Sequence, residues 1–486
     1  MLRRQLQLTR LRVGVWHPSS RPFTHSRRVA VRAKPQDTSA RFPHVKRGQF
    51  AEVTSEDVNM FRNILSKESK VLSSSDELDG YNTDWIGIAK GNSQLVLRPQ
   101  TTKEVSACAQ VLQLPPSCRR TPGGKHRVGI LVCQAGCVLA SLEDHLTDAE
   151  LMMPIDLGSK GSCRIGGNVS TNAGGLRLLR YGSLHGSVLG VEAVLANGDI
   201  VDCLSTMRKD NTGYDMKQLF IGSEGTLGVV TAVSILCPVR PKSTQVAFLG
   251  CESFDMVQRI LWQAKQMLSE TLSAFEFLDA QSMTCNEENL GLKNPLKESP
   301  FYVLVEVSGS NSNHDEEKLN AFLQSVMDKS LVLDGTLATG ISKIQELWQL
   351  RERITESLLA DGYNYKYDIS LPLTHYYDVV QVMRERLRDR VTRVVAYGHV
   401  GDGNLHLNVT TPQYSAEVAQ LIEPFLYEYT SKCRGSISAE HGMGLMKNRY
   451  LHYSKSDAAI RLMRSVKTLM DPHGILNPYK TLPPDT

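Results

Sequence analysis

The 486-residue sequence has no apolar run near the length of a membrane helix and no Cys-x-x-Cys pair. A bilayer-spanning helix needs about 20 consecutive apolar residues, so no transmembrane segment is predicted. The ten cysteines are scattered, and a chain of this size with 41% apolar residues can bury a large core without disulfides, so we expect reduced thiols. There is also no Gly-x-Gly-x-x-Gly opening a helix and no phosphate loop ending in Gly-Lys-Ser/Thr. These absences argue against a Rossmann NAD site and a nucleotide hydrolase.

Acidic residues are missing from the first 36 positions, which hold nine Lys and Arg. The other 450 residues carry 46 basic and 51 acidic side chains, a net charge of −5. A mildly acidic body argues against a nucleic-acid partner. An Arg-rich, hydroxyl-rich leader without acids is typical of a transit peptide, so residues 1–36 predict import into the mitochondrial matrix. The alternative is a disordered basic tail.

The pattern of strands and helices predicts an α+β fold with several sheets rather than one doubly wound sheet. After the leader, region 45–240 contains glycine-rich turns between short strands. In region 241–390, strands such as 301–307 alternate with long helical stretches, including 344–359. Region 391–486 holds a hairpin, a helix and a tail punctuated by Gly and Pro.

Glycine is concentrated between Gly158 and Gly190, where nine glycines occur in 33 residues. Glycine at this density lets backbone N–H groups turn toward a ligand and approach it closely. A second cluster, 222–228, leads into a strand-like run at 229–236. On spacing alone, tight turns between strands explain these glycines about as well as a cofactor site does.

Two strand-like runs, 394–399 and 404–409, flank Asp402-Gly403. Asp-Gly between alternating runs favours a hairpin with a two-residue type I′ turn. That turn would place His399 directly opposite His406, with Cβ atoms about 4.5–5.5 Å apart. Asn408 would share their face. The pattern therefore predicts a metal site in preference to a packing role.

Two histidines leave a zinc-like site short of a third ligand, and the best candidate is the pair Glu440-His441. The alternative for this pair is a surface position at a helix start. Arg351 and Thr355 are four residues apart on a predicted helix and share a face. Strand alternation places Lys366 opposite its neighbouring tyrosines. A solvated surface charge is the simpler interpretation of both basic residues.

Four stretches carry a family resemblance. They are Gly158-Ser-Lys-Gly-Ser-Cys-Arg-Ile-Gly-Gly-Asn-Val-Ser-Thr-Asn-Ala-Gly-Gly175 with Arg180-Tyr-Gly-Ser183, Arg208-Lys-Asp-Asn-Thr-Gly-Tyr214, Gly222–Gly228, and Asp471-Pro-His-Gly-Ile-Leu-Asn-Pro-Tyr-Lys480. Together they resemble the vanillyl-alcohol-oxidase superfamily, and within it the FAD-linked D-2-hydroxy-acid dehydrogenases. The resemblance runs from about residue 81 to 484 with one gap.

The resemblance implies a two-part FAD-binding domain at 45–240, an α+β substrate or cap domain with an antiparallel sheet at 241–390, and a C-terminal segment at 391–486 that carries the metal site and closes the flavin site with a helix. It implies oxidation of D-2-hydroxyglutarate to 2-oxoglutarate, with hydride transfer to the flavin N5 and electrons leaving through an electron-transfer flavoprotein. D-lactate and D-malate are alternative substrates. The FAD is expected to be non-covalent, and a homodimer is left open.

The site residues that the resemblance implies fall into four groups. The ligands of Zn²⁺ or a similar divalent ion are His399, His406 and Glu440. The catalytic base, which also contacts substrate, is His441, while Arg353 and Lys447 are expected at the surface. The other substrate-binding residues are Arg351, Thr355, Lys366 and Asn408. The flavin-binding residues are Gly161, Ser162, Gly166, Gly167, Asn168, Thr171, Asn172, Gly174, Gly175, Tyr181, Gly182, Glu224, Gly225 and Asn477.

The sequence departs from the family between residues 112 and 128. A first glycine-rich loop resembling Pro-Gln-Gly-Gly-Asn-Thr-Gly, and the strand and linker after it, are replaced by Leu112-Gln-Leu-Pro-Pro-Ser-Cys-Arg-Arg-Thr-Pro-Gly-Gly-Lys-His-Arg127. Removing the first base from one back-translation of 118–127 restores Ala-Val-Val-Pro-Gln-Gly-Gly-Asn-Thr. This indicates a reading-frame error in the gene sequence followed by a lost exon. As it stands, the chain lacks pyrophosphate donors, so a flavin-free zinc-binding remnant is a further hypothesis.

Overall fold

The computed structural model describes residues 36–37, 42, 45, 50, 52–65, 70–84, 89–113 and 129–483. The predicted leader, apart from its last residue, and positions 114–128 of the altered loop lie outside these residues. The strands are β1 (Gln36–Asp37), β2 (Val71–Leu72), β3 (Ala89–Lys90), β4 (Val96–Leu97), β5 (Ile130–Gln134), β6 (Val188–Val194), β7 (Ile200–Cys203), β8 (Val229–Leu236), β9 (Ser243–Cys251), β10 (Leu272–Asp279), β11 (Phe301–Gly309), β12 (Asp334–Ala338), β13 (Tyr363–Ser370), β14 (Arg393–Gly398) and β15 (Asn404–Thr411).

Helices alternate with these strands along the chain. They are α1 (Ser55–Leu65), α2 (Ser75–Asn82), α3 (Thr102–Gln113), α4 (Leu139–Thr147), α5 (Ile165–Ser170), α6 (Leu178–Tyr181), α7 (Leu184–Ser187), α8 (Phe254–Met267), α9 (Ala280–Leu290), α10 (Ser312–Asp328), α11 (Ile341–Glu352), α12 (Ile354–Leu359), α13 (Asp378–Leu387), α14 (Ala416–Ile422), α15 (Phe425–Lys432) and α16 (Asp457–Met470). Among the described residues, no helix combines the length and apolar character needed to cross a bilayer.

The glycine-rich region forms a four-stranded antiparallel sheet in the order β5-β8-β6-β7. The strand at 229–236 is confirmed at the predicted residues. Its inward side chains, including Val233 and Ile235, pack with Ile165 of α5 and Leu139 of α4 in one core. The glycine-rich turns therefore adjoin a packed sheet, with α5 fixed against it.

Strands from the rest of the chain form a seven-stranded antiparallel sheet in the order β12-β9-β11-β10-β14-β15-β13. Successive side chains of a strand point to opposite faces of the sheet, and here both faces carry apolar side chains. Helices cover both faces and form a core on each. Phe275 and Phe277 of β10 pack toward α8, α10 and α13 on one face. Leu278 packs toward α9, α11 and α12 on the other. This arrangement confirms the predicted α+β class.

The predicted helix 344–359 is wrong as a single element. The chain forms α11 and α12 instead, with Arg353 between them at φ −89° and ψ 3°. Ile354 and Leu358 of α12 nevertheless pack into the same core as Leu347 and Leu350 of α11. The break therefore turns the helix without removing it from the sheet.

The cysteines that the structure describes form no disulfide. Burial raises the pKa of Cys251 and of Cys237 to about 12. A thiol with so high a pKa is protonated at neutral pH and reacts slowly. These cysteines therefore behave as small apolar core residues.

Candidate active site

Polar side chains gather on the α9–α11–α12 face of the seven-stranded sheet, where β10, β14, β15 and β13 lie side by side. His406 of β15 is opposite Tyr397 of β14 and Asp368 of β13. Asn408, two residues further along β15, is opposite Lys366. Directly opposite residues share a face of a sheet, so these side chains converge.

The predicted register of the hairpin is wrong by two residues. His406 pairs with Tyr397 and not with His399, and the connection runs over five residues, 399–403. A type I′ turn needs positive φ at both central residues. Gly403 has φ +83°, whereas Asp402 is not among the residues of positive φ, so that turn does not form.

The two histidines still meet as expected. His399 lies just beyond the end of β14, and its ring centroid is 5.3 Å from that of His406. A two-residue shift in register keeps a side chain on the same face of the sheet, because side chains alternate with a period of two. The convergence therefore depended on the parity of the register and not on the turn type.

Glu440 connects the histidines. Its Oε1 lies 3.7 Å from His399 Nε2, 3.6 Å from His406 Nε2 and 3.5 Å from His441 Nε2. Its other oxygen accepts a 2.7 Å hydrogen bond from the backbone N–H of Gly175. The carboxylate thus joins the histidine cluster to the glycine-rich region, 265 residues earlier in the chain.

Asp368 holds the loop that carries Glu440. Its Oδ2 accepts hydrogen bonds from the backbone N–H groups of Ala439, Glu440 and His441 at 2.9–3.0 Å. Its Oδ1 accepts from Asn404 Nδ2 at 2.8 Å. The loop therefore docks on the sheet through one buried carboxylate.

The donor set suits a divalent ion. Ligand atoms of Asp368, His406, Glu440 and His441 lie within 4.8 Å of one another, and His399 approaches the same Glu440 oxygen. Imidazole and carboxylate groups are common ligands of zinc and similar ions. The predicted set of His399, His406 and Glu440 is brought together, and Asp368 and His441 adjoin it.

Electrostatics set different protonation states within the cluster. Burial lowers the pKa of His399, but the charge of Glu276 outweighs it and raises that pKa to about 10. Burial and the neighbouring His399 lower the pKa of His406 to about 3. For Glu440, burial raises the pKa, yet its contacts with His399 and His441 lower it well below the usual range. Because a histidine binds a metal through a deprotonated nitrogen, ion binding by His399 would release the proton from its Nε2.

Two of the predicted carboxylate-binding residues, Arg351 and Thr355, contact Tyr397. The Arg351 guanidinium lies 4.8 Å from the centre of the Tyr397 ring, and Thr355 Oγ1 is 2.8 Å from its hydroxyl oxygen. Within the described residues, no acceptor is recorded for the Lys366 amine, and burial lowers its pKa. A half-buried amine without a counter-ion is costly, which indicates a place for an anion.

Glu276, Asp368 and Tyr397 were missed by sequence reasoning. A signal for Glu276 was a lone acid inside the apolar run 274–278, where a buried carboxylate needs partners. The expected surface position of Lys447 is wrong. Its Nζ donates to Ile437 O at 3.0 Å and to Ser438 Oγ at 3.3 Å, and burial lowers its pKa. Arg353 lies in an exposed ion pair with Glu356, as expected.

The glycines that the resemblance assigned to flavin binding fall into two groups. A Cβ on Gly166 would lie 2.4 Å from Ala135 Cβ, and one on Gly175 would lie 2.2 Å from Asp156 O. These two serve close packing. The positions where an added Cβ meets nothing within 4 Å are Gly161, Gly167, Gly182 and Gly225.

The remaining flavin candidates divide similarly. Asn168 and Asn172 each bury an Oδ1 atom that accepts no hydrogen bond within the described residues. Glu224 instead accepts from the backbone of Met443 and Gly444 at 2.7 and 2.8 Å. Open glycines beside unpaired buried acceptors fit a ligand that carries hydroxyl and N–H donors, as FAD does.

The other predicted flavin residues lie at the edges of this region. Asn477 donates to the backbone oxygen of Glu224, and Tyr181 lies beside Arg180, whose guanidinium is 5.5 Å from the ring centre. Thr171 donates to the backbone oxygen of Gly167 at 3.1 Å. Gly174 borders Glu440, because a Cβ there would lie 3.0 Å from its Oε2. Ser162 donates to Ser159 O at 3.3 Å.

Gly166 and Gly167 make a matched test of these two groups. Gly166→Ala should lower the free energy of unfolding by about 1–3 kcal/mol, because its methyl group overlaps Ala135. Gly167→Ala should leave stability unchanged or raise it by up to ~1 kcal/mol, because alanine favours the helix. Urea unfolding of both variants measures this, and equal stabilities would contradict the packing assignment.

Comparison with known proteins defines the class. Residues 123–204 match the FAD binding domain, and residues 240–481 match the C-terminal domain of FAD linked oxidases. A solved structure of p-cresol methylhydroxylase with substrate bound superimposes with a TM-score of 0.69, covering 89% of this chain and 99% of that one. At 14% identity, this shows the fold alone. The fold and the glycine-rich region are those of an FAD-linked oxidase.

Two curated relatives narrow the class. "D-2-hydroxyglutarate dehydrogenase, mitochondrial" of Danio rerio is 52% identical over 491 residues, covering 95% of this chain and 91% of the relative. The protein of the same name from Rattus norvegicus is 51% identical over 474 residues, covering 92% and 88%. The chain belongs to the family of D-2-hydroxyglutarate dehydrogenases.

These alignments also contain gaps. Ninety-five percent of 486 residues is about 462, so about 29 of the 491 positions aligned with the Danio rerio protein face a gap in this chain. The match to the FAD binding domain begins at residue 123, inside the altered interval. The start of that match inside 112–128 agrees with a departure from the family there.

Proposed function

We propose that this chain is an FAD-dependent dehydrogenase that oxidises D-2-hydroxyglutarate to 2-oxoglutarate in the mitochondrial matrix and passes electrons to an electron-transfer flavoprotein. The observation that carries the proposal is one sheet face on which a histidine–carboxylate cluster lies beside Arg351 and Lys366. A 2-hydroxy dicarboxylate offers the complementary groups. Its hydroxyl and adjacent carboxylate can chelate an ion, and its second carboxylate can pair with Arg351 or Lys366.

Each residue has a role in this proposal. His399, His406 and Glu440 hold a divalent ion, Zn²⁺ by the chemistry of its ligands. When bound, the ion would act as a Lewis acid that lowers the pKa of the substrate hydroxyl, and the flavin would accept hydride. His441 takes the hydroxyl proton on Nε2. Its side chain is 60% exposed, so substrate can reach it.

The substrate carboxylates are bound by Arg351, Thr355, Lys366 and Asn408. An Arg fork beside a Lys suits a dicarboxylate. The residues proposed for FAD are those of the glycine-rich region, in a domain over 45–240, with a cap domain over 241–390 and a closing segment over 391–486. Because Glu440 accepts a hydrogen bond from Gly175, the histidine cluster and the glycine-rich region are in direct contact.

Lys366→Met should separate dicarboxylate from monocarboxylate substrates. Losing a hydrogen bond to a charged group costs about 1.5–3 kcal/mol, so we expect KM for D-2-hydroxyglutarate to rise roughly 10- to 150-fold. KM for D-lactate, which has one carboxylate, should change much less if Lys366 binds the distal group. Steady-state kinetics on D-2-hydroxyglutarate, D-malate and D-lactate measure this.

Lys318→Met is the control for this substitution, because Lys318 forms an exposed ion pair with Glu270 away from the cluster. It should leave all three KM values unchanged. A uniform rise for all three acids in Lys366→Met would place Lys366 at the carboxylate they share. No change for any of them would remove it from the substrate site.

A second candidate is the flavin-free zinc-binding remnant, which the altered interval 112–128 favours. Recombinant protein of this sequence separates the two. A yellow preparation with flavin absorbance that is bleached by D-2-hydroxyglutarate supports the dehydrogenase. A colourless preparation that binds zinc supports the remnant. Sequencing the transcript shows whether the missing segment belongs to the gene, and a transcript identical to the printed reading frame would contradict the frame error.

A further inference from the structure

Glu276 is a carboxylate placed where the fold offers it almost no water. It lies on β10 in the middle of the seven-stranded sheet, and only 2% of its surface is exposed. Its neighbours Phe275 and Phe277 face the opposite core. A buried carboxylate is costly unless it is paired and hydrogen-bonded, so the position requires partners.

Each oxygen of Glu276 has a different partner. Oε1 lies 2.8 Å from His399 Nδ1, and Oε2 accepts a 2.9 Å hydrogen bond from Arg351 Nε. His399 belongs to the cluster around Glu440, while Arg351 lies over Tyr397 in the basic group. The Glu276 side chain therefore contacts one predicted ion ligand, His399, and one predicted carboxylate-binding residue, Arg351.

These contacts determine which nitrogens of His399 and Arg351 are directed toward the rest of the site. Because Nδ1 of His399 is engaged by a carboxylate, its Nε2 is the nitrogen directed toward Glu440. Because Arg351 uses Nε on Glu276, its terminal nitrogens are left for other acceptors, and the described residues supply none. A guanidinium fixed through Nε offers a preorganised fork.

We propose that Glu276 is a positioning residue that orients both the ion ligand His399 and the carboxylate anchor Arg351, and so couples ion binding to dicarboxylate binding. This inference rests on the function proposed above. Since one carboxylate supports both groups, replacing it should weaken ion binding and substrate binding together. Such an effect differs from that of losing either partner alone.

The test uses Glu276→Gln, which keeps the shape and removes the charge. We expect the zinc affinity of the metal-stripped protein to fall about 10- to 100-fold, as for other groups that orient a metal-bound histidine. KM for D-2-hydroxyglutarate should rise in the same variant. Chelator competition gives the affinity without any turnover, and Co²⁺ absorption reports the ligand geometry.

Asp279→Asn is the matched control. Asp279 is on the same strand, is fully buried, and accepts a 2.6 Å hydrogen bond from Arg384, yet it contacts none of the cluster. Its loss should lower the unfolding temperature while leaving zinc affinity and KM unchanged. Glu276→Asp keeps the charge but is too short to reach both partners, so its zinc affinity should fall between those of wild type and Glu276→Gln.

The outcomes separate the two levels of the argument. If the wild-type protein binds no divalent ion, the proposed function fails. If wild type binds zinc and Glu276→Gln binds it equally well, the positioning role is overturned. A loss of affinity as large in Asp279→Asn would also overturn it, because the effect would then follow stability. If Glu276→Gln does not fold, Glu276→Asp decides: wild-type zinc affinity and KM in that variant would overturn the role.

Discussion

We expect His441→Asn to reduce kcat for D-2-hydroxyglutarate by about 10²- to 10⁴-fold, the usual contribution of a positioned general base. The fold should survive, because the backbone N–H of His441 still donates to Asp368 at 2.9 Å, whereas the ring Nδ1 is only a 3.8 Å ion-pair contact of that carboxylate. Zinc content and KM should change little, since Glu440 remains with His399 and His406. Anaerobic stopped-flow measurement of flavin bleaching isolates the reductive half-reaction, where the loss should appear.

The control is His452→Asn, since His452 is an exposed histidine whose Nδ1 contacts the backbone oxygen of Arg449 and whose ring lies beside Tyr453. It should reduce flavin at the wild-type rate. Should His441→Asn retain more than a tenth of the wild-type rate with normal zinc content, another group must take the proton, and the assignment of His441 as base would be lost.

The second large effect is expected from Glu440→Gln. The substituted amide keeps the size of the side chain and can still accept from Gly175, but it removes the negative charge between the three imidazoles. Removing one partner from a buried charged cluster costs about 3–5 kcal/mol, which corresponds to a loss of ion affinity of roughly 150- to 5,000-fold. Activity should fall with it and recover partly in excess Zn²⁺.

Glu428→Gln is the control, because Glu428 is a partly buried acid in the same segment that contacts Tyr453 at 3.2 Å and not the cluster. Its metal content should equal that of wild type when measured by plasma emission spectrometry. If Glu440→Gln retains full zinc occupancy after dialysis against a weak chelator, Glu440 is not a ligand, and Asp368 with His406 and His441 becomes the set to test.

Much of the candidate site was readable from local patterns. The Asp-Gly hairpin predicted that His399 and His406 meet, and strand alternation predicted that Asn408 shares their face. For Lys366, alternation predicted only the side opposite its neighbouring tyrosines, and the pairing with Asn408 came from the structure. These predictions survived a wrong register and a helix that breaks at Arg353. Period-two alternation assigns faces regardless of a two-residue shift, which is why the error in the turn did not separate the histidines.

The supporting residues were not readable in this way. Glu276 lies more than 120 residues before His399 in the sequence, so no local pattern relates the two. They meet because β10 pairs with β14. The sequence pattern predicted a surface position for Lys447, but in the structure its amine contacts the loop 437–442. Burial of a charged group depends on what packs above it, and sequence spacing carries no information about that.

The sequence by itself determined the acid-free leader, the glycine-rich segment, the family resemblance with its gap, and the meeting of His399 with His406. The leader, the glycine-rich segment and the histidine pair each lie within a few tens of residues, and so does each motif that carries the resemblance. Only the tertiary structure decided that Asp368 holds the Glu440 loop and that Glu440 bonds to Gly175. Those contacts join segments 72 and 265 residues apart, and strand order and domain packing set them, because only the assembled fold brings such distant backbone groups within hydrogen-bonding distance.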